Sequence, residues 1–337
     1  MFAAARVTLM QHRFEVGAAA LAALVLGVSA LVVEYRLRAL NVAPGCIDNW
    51  LARADGPDGA GACVGPMHAW GEILGVEGGL IFGTMKYLPF AVGLLGGVPI
   101  VARELEARTA QTAWSLSGSR LRWLIRQVAP ILVVLGVTVT FAALAAGVLE
   151  ANRQAWGEFT FQYLEEYGPL VVFRAFGAFG IGLLIGGLLG RTLPALVLGA
   201  ALSLALVFAV GNVRDKWFAG LDPVVIGETS TAGGTVVTDP LARVVQTGWG
   251  WRSPDGIQLS FAEGLARVPR EIFEHDDPLQ YPDSSAWLDS HGYASLALGV
   301  TDEIARGWAR YDALAFSLVG IASIGAAIVV VNRRRPT

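Results

Sequence analysis

Val101-Ala102-Arg103-Glu104-Leu105-Glu106-Ala107-Arg108-Thr109, followed shortly by Arg120-Leu121-Arg122-Trp123-Leu124-Ile125-Arg126, is a charged, helix-prone hairpin set between two long apolar runs. A structured polar loop this short, flanked on both sides by membrane-length segments, reads as an element that passes force from a soluble partner to a polytopic membrane protein. Glu104 and Arg108 are four apart and predict a helical pair. Ser119 is placed to cap a second helix, with Leu121, Leu124, Ile125 and Val128 forming an apolar stripe. Ser115 to Ser119, with Gly118, is the expected bend.

Working outward, the composition agrees with a membrane protein: 54% hydrophobic and 16% charged over 337 residues, with mean hydropathy +0.53. A hydrocarbon layer about 30 Å thick takes roughly 20 apolar helical residues. Six stretches meet this, near 14–33, 78–99, 128–149, 169–190, 193–211 and 313–331. The expected fold is an all-α polytopic membrane protein with six transmembrane helices and a cytosolic coupling helix between spans 2 and 3.

Six crossings put both termini on one side. Arg6, Arg13, Arg103, Arg108, Arg120, Arg122, Arg126, Arg191, Arg333, Arg334 and Arg335 share that side, which the positive-inside rule makes cytosolic. The opposite face is acidic, with fourteen Asp and Glu against eight Lys and Arg over residues 212–310. Met1 to Phe14 carries Val7, Leu9, Met10 and Phe14 beside Arg6, Gln11 and Arg13, and residues 1–13 suggest a cytosolic amphipathic segment. Arg13 and Val28-Ser29-Ala30 also fit a signal peptide with its cleavage site, but the apolar run continues to Val33, long enough to span.

The spans 14–211 enclose the coupling loop 101–126 and an external loop 34–77. That loop holds both cysteines, Cys46 and Cys63, where oxidation would allow a disulfide. Residues 212–312 are domain-sized and predict a mostly helical external domain, with helical periodicity over 261–273 and 284–310. Its Trp217, Trp249, Trp251, Trp287 and Trp308 suit either a core or a membrane interface. Residues 313–337 give the last span and a basic cytosolic tail.

Lys86 in the second span and Arg174 in the fourth are candidate translocation-path residues, since intramembrane charges are costly and often functional. Snorkelling, or pairing with Glu77 or Glu166, competes with that role. Gly182, Gly186 and Gly190, with Gly93 and Gly97, recur every four residues and predict close helix packing or a dimer face. The only lysines, Lys86 and Lys216, lie outside any GxxxxGK[ST] loop, so ATP hydrolysis by the usual route is excluded from this chain. His12, His68, His275 and His291 show no metal-ligand spacing, and no metal is expected. Nucleic acid is not an expected partner.

The pattern Arg103-Glu104-Leu105-Glu106-x-x-Thr109, then Ala113-Trp114-Ser115-x-Ser117-x-Ser119-Arg120-x-Arg122-Trp123-Leu124, resembles the loop of bacterial ABC type 2 transporter permeases, particularly the short six-span actinobacterial type. Gly190-Arg191-Thr192-Leu193-Pro194-Ala195 and Asn332-Arg333-Arg334-Arg335 are similar to the same group. The resemblance implies a permease subunit of an exporter in the bacterial cytoplasmic membrane, paired with a second copy or a paralogue. It would work over a separate ATP-binding cassette ATPase that carries ATP and Mg, with no cofactor in this chain. Glu104, Glu106 and Thr109 would dock on that ATPase, flanked by Arg120 and Arg122. Two other readings remain: a sensor or immunity protein whose external domain binds a peptide or protein, and a membrane enzyme using His275, Asp277, Asp289 and His291.

Overall fold

Among the described residues, six helices are long and apolar enough to cross a membrane: Arg13–Ala39, Gly65–Glu106, Arg120–Asn152, Pro169–Leu189, Thr192–Phe218 and Glu303–Arg333, here spans 1 to 6. The computed structural model describes residues 2–42, 60–116, 118–155, 166–221, 224–230, 234–237, 244–273 and 282–334. The described chain divides into two compact units, one of the residues up to Asn212 together with those from Ala309 onward, the other within Val213–Trp308. The membrane part is all-α, as its hydropathy predicts.

Span 2 is longer than its apolar run. Helix Ala60–Glu72 leads into a π-helical stretch, Ile73–Gly78, and then into helix Gly79–Glu106. The segment read as external loop 34–77 is therefore helical from Ala60 onward, and Glu77 pairs with Arg36 of span 1. Cys46 lies outside the described residues, and with it the expected disulfide to Cys63.

Glycine decides the packing order. A Cβ at Gly93 would lie 2.4 Å from the Ala175 carbonyl oxygen, and one at Gly97 2.3 Å from that of Phe179. From the other side, a Cβ at Gly186 would meet the Val98 carbonyl oxygen at 2.6 Å. Spans 2 and 4 thus touch backbone to backbone, the close approach that small residues permit between membrane helices. Gly180 does the same against Gly320 of span 6, at 2.6 Å. The glycine repeat, legible in sequence, is spent on contacts within the chain. Span 1 packs on span 3 through Ala19, Ala23, Gly27 and Ala30, buried at helical spacing.

The second unit corrects a sequence expectation. Instead of a mostly helical domain it holds a five-stranded antiparallel sheet, in the order β2-β1-β5-β3-β4, with β1 Val224–Ser230, β2 Gly234–Val237, β3 Val244–Arg252, β4 Gln258–Ser260 and β5 Ala294–Thr301. β5 lies inside the 284–310 run read as helix. Its Leu296, Leu298 and Val300 alternate and are all buried, the period of a strand. Short helices Phe261–Leu265, Arg270–Phe273 and Pro282–Ser290 accompany the sheet, and Trp251, Val268 and Leu288 form a core between them. Ser260 and Glu263 close the first helix with a reciprocal capping box. Trp217 and Trp308 stack on each other, whereas Trp249 is exposed.

Candidate functional site

The hairpin between spans 2 and 3 begins where span 2 ends. Its helix stops at Glu106 because Ala107 and Arg108 turn away, Arg108 adopting φ 58°. The Thr109 amide donates to the Glu104 carbonyl at 3.0 Å and the Arg108 amide to the Leu105 carbonyl at 3.2 Å, a Schellman closure with arginine where glycine is usual. Glu104 therefore does not pair with Arg108 along a helix, as its spacing predicted. Its carboxylate instead accepts a hydrogen bond from the Thr109 hydroxyl.

A short helix, Ala110–Leu116, follows. Its Trp114 is buried and meets Trp123 edge-on at 6.2 Å between centroids. The Arg120 guanidinium lies 4.5 Å above the Trp114 ring, a cation–π contact that fixes the turn. Gly118 takes a positive φ, and the Ser119 hydroxyl oxygen accepts from the Arg122 amide at 3.2 Å, the cap expected from sequence. The expected apolar stripe is rotated, however. Trp123, Leu124 and Gln127 face inward, while Leu121 and Ile125 are exposed, a position apolar residues hold freely when lipid is the solvent.

Both feet of the hairpin reach other helices. The Glu106 carboxylate accepts from the Thr192 amide at 3.0 Å and from the Thr192 hydroxyl at 2.8 Å, capping the start of span 5. Arg120 donates to the carbonyls of Val331, Asn332 and Arg334 at 3.0, 2.9 and 2.7 Å, closing the end of span 6. Arg334 in turn donates to the carbonyls of Gly187 and Leu188 at the end of span 4.

The N-terminal helix Phe2–Gln11 is tied in at the same place. Arg103 bonds the Gln11 carbonyl at 3.3 Å and the Glu15 carboxylate at 3.0 Å, and Gln127 donates to the Gln11 side chain at 3.2 Å. His12, at the joint, is buried; burial lowers its pKa, with Glu15 and Glu104 opposing the shift and Arg103 adding to it. The polar residues that the hairpin leaves exposed include Arg108, Thr109, Gln111, Thr112, Ser115 and Arg122.

The two intramembrane charges are not brought together. Arg174 is buried in span 4 and donates to Asp312 of span 6 at 2.9 Å, each side chain 2% exposed, with the Phe316 ring 5.5 Å from the guanidinium. Sequence reasoning missed Asp312 because it precedes the apolar run that marks span 6, although its helix starts at Asp302. Lys86 is half-buried and has no hydrogen bond or ion pair among the described residues. Spans 2, 3 and 4 border a cavity of about 190 Å³ lined by Val92, Leu135, Val139, Val172 and Phe179 among others, all apolar or glycine. Neither Lys86 nor Arg174 lines it. Of the residues considered for an enzyme, His291 stacks on Trp287 and bonds its carbonyl at 2.8 Å, while His275 and Asp277 lie outside the described residues.

Among curated proteins and among solved structures, no match is found. The family model for ABC-2 membrane transporter related proteins matches residues 16–214, more than half the chain, and takes in spans 2 to 4, the hairpin and nearly all of spans 1 and 5. This multi-pass membrane protein belongs to the ABC-2 membrane transporter-related family.

Proposed function

We propose that the chain is the transmembrane permease subunit of an ATP-driven exporter, in which a separate ATP-binding cassette subunit supplies the energy. The observation that carries this reading is the short helix Ala110–Leu116, held between spans 2 and 3 on two anchored feet, inside the stretch that matches the transporter-related family. A rigid knob of this kind suits transmission of a push. The knob and both termini lie in the cytosol, following the arginine distribution, and the membrane is the bacterial cytoplasmic membrane. A second permease, identical or paralogous, completes the pathway.

Within the hairpin the expected coupling residues divide by role. Glu104 and Thr109 close the end of span 2, Glu106 and Arg120 anchor the feet, and Arg122 joins the exposed Arg108, Gln111, Thr112 and Ser115 in meeting the ATPase. ATP and Mg belong to that partner, and the chain itself does no chemistry.

Gentle purification of the tagged chain from its native membrane, with mass spectrometry of what stays bound, tests the reading. A stoichiometric ATP-binding cassette protein, lost with Glu104→Lys or with Arg108→Glu combined with Arg122→Glu, is the expected outcome. Recovery of the chain alone, or with only external proteins, would overturn it.

A further inference from the structure

Three helix ends at the hairpin are closed by side chains from elsewhere in the chain. Span 5 takes its first acceptor from Glu106, 86 residues upstream. Span 6 takes donors from Arg120, more than 200 residues upstream. Span 4 takes its donor from Arg334, whose own carbonyl is one of the Arg120 acceptors. Glu106 is the last residue of the helix before the knob and Arg120 the first of the helix after it, so the two charges that reach outward stand at the two feet of the knob. Helix termini are rigid places to pull on, because a carboxylate at an amino end or a guanidinium at a carboxyl end meets several aligned backbone groups at once.

We infer that Glu106 and Arg120 are coupling struts: Glu106 carries displacement of the hairpin to span 5, and Arg120 carries it to span 6 and, through Arg334, to span 4. This deepens the permease reading and rests on it. Both are positioning residues and touch no substrate. The arrangement has two separable branches, and a side chain that merely stabilised the fold would not sort its effects by branch.

Hydrogen exchange of the purified permease–ATPase complex in nanodiscs, with and without ATP plus orthovanadate, separates them. In the parent, nucleotide is expected to change amide exchange in the hairpin, at 192–195, and at 187–190 with 331–334. Glu106→Ala should lose the nucleotide-dependent difference at 192–195 and keep the others, while Glu106→Gln, which retains an acceptor oxygen for Thr192, should restore it. Arg120→Ala should lose the difference at 187–190 and 331–334 and keep that at 192–195. A fixed rise in exchange, equal in both nucleotide states, is what a purely structural cap gives, and it overturns the strut assignment; so does a nucleotide-dependent difference at 192–195 that survives Glu106→Ala. If no ATPase accompanies the parent chain, the permease reading itself falls and the struts fall with it, an outcome distinct from a responding hairpin whose neighbours ignore both substitutions.

Discussion

Spans 4 and 5 are neighbours in sequence and opposites in place. Span 4 has 78% of its apolar window buried at a mean hydropathy of 1.9, whereas span 5 has 17% buried at 2.5. The more hydrophobic helix is the one left outside. In water the order would be reversed, but lipid tails are as apolar as leucine, so apolar content assigns a segment to the membrane and says nothing of which helix lies at the centre. Small residues and a paired charge decide that. Span 4 carries Gly177, Gly180, Gly182 and Gly186 with buried Arg174, while span 5 presents Leu193, Val197, Leu204 and Phe208 outward.

The comparison breaks most severely at the charge. Arg174→Leu leaves the buried Asp312 carboxylate without its guanidinium and should cost about 3–5 kcal/mol, with the charge-swapped pair Arg174→Asp and Asp312→Arg recovering part of it. Thermal unfolding in detergent, followed by size-exclusion chromatography, measures both. Next comes backbone contact. Gly97→Leu drives a side chain into the Phe179 carbonyl and should cost about 3 kcal/mol or more, against about 0.5 kcal/mol or less for Leu204→Val on exposed span 5. Equal losses in the two would refute the account of why span 4 lies inside.

Acid sharpens the contrast at the boundary of the bundle. Burial holds the His12 pKa below the ordinary histidine value, so as pH falls the unfolded chain takes up the proton first. The stability due to neutral His12 is therefore complete above the ordinary histidine pKa of about 6.5 and declines as pH falls through it, until the lowered folded-state pKa is passed. The melting temperature should drop more between pH 7.5 and 5.5 in the parent than in His12→Asn. The smallest change is a gain. Arg108 holds a left-handed conformation, and Arg108→Gly should stabilise the hairpin by about 1 kcal/mol in the same melt.

The spans, the glycine contacts and the Ser119 cap were legible because each is local: an apolar run, a repeat of four, a serine three residues before the amide it accepts from. The sheet was not, because β5 is eight residues of alternating Leu296, Leu298 and Val300 hemmed between the helices Pro282–Ser290 and Asp302–Arg333, and its partners β1 and β3 are far away in sequence. The site shows the same division. Residues 101–126 announce a charged hairpin, yet no spacing tells that Glu106 belongs to Thr192 or that Arg120 belongs to Val331. Arg174 was legible as a costly charge, but its partner Asp312 was hidden just outside the hydrophobic window. Glu104 and Arg108 misled in the opposite way, since a valid helical spacing is void once the helix has ended between them.

The borrowed helix ends also set a timetable for biosynthesis. Glu106 and Arg120 are already in place when spans 5 and 6 leave the ribosome, so those helices meet their caps on arrival. Span 4 cannot: the Leu188 carbonyl waits for Arg334, 146 residues later. At about 5–20 residues per second that delay is roughly seven to thirty seconds. During that interval the most buried helix of the bundle is open at one end, which makes it the segment that a membrane chaperone would have most reason to hold.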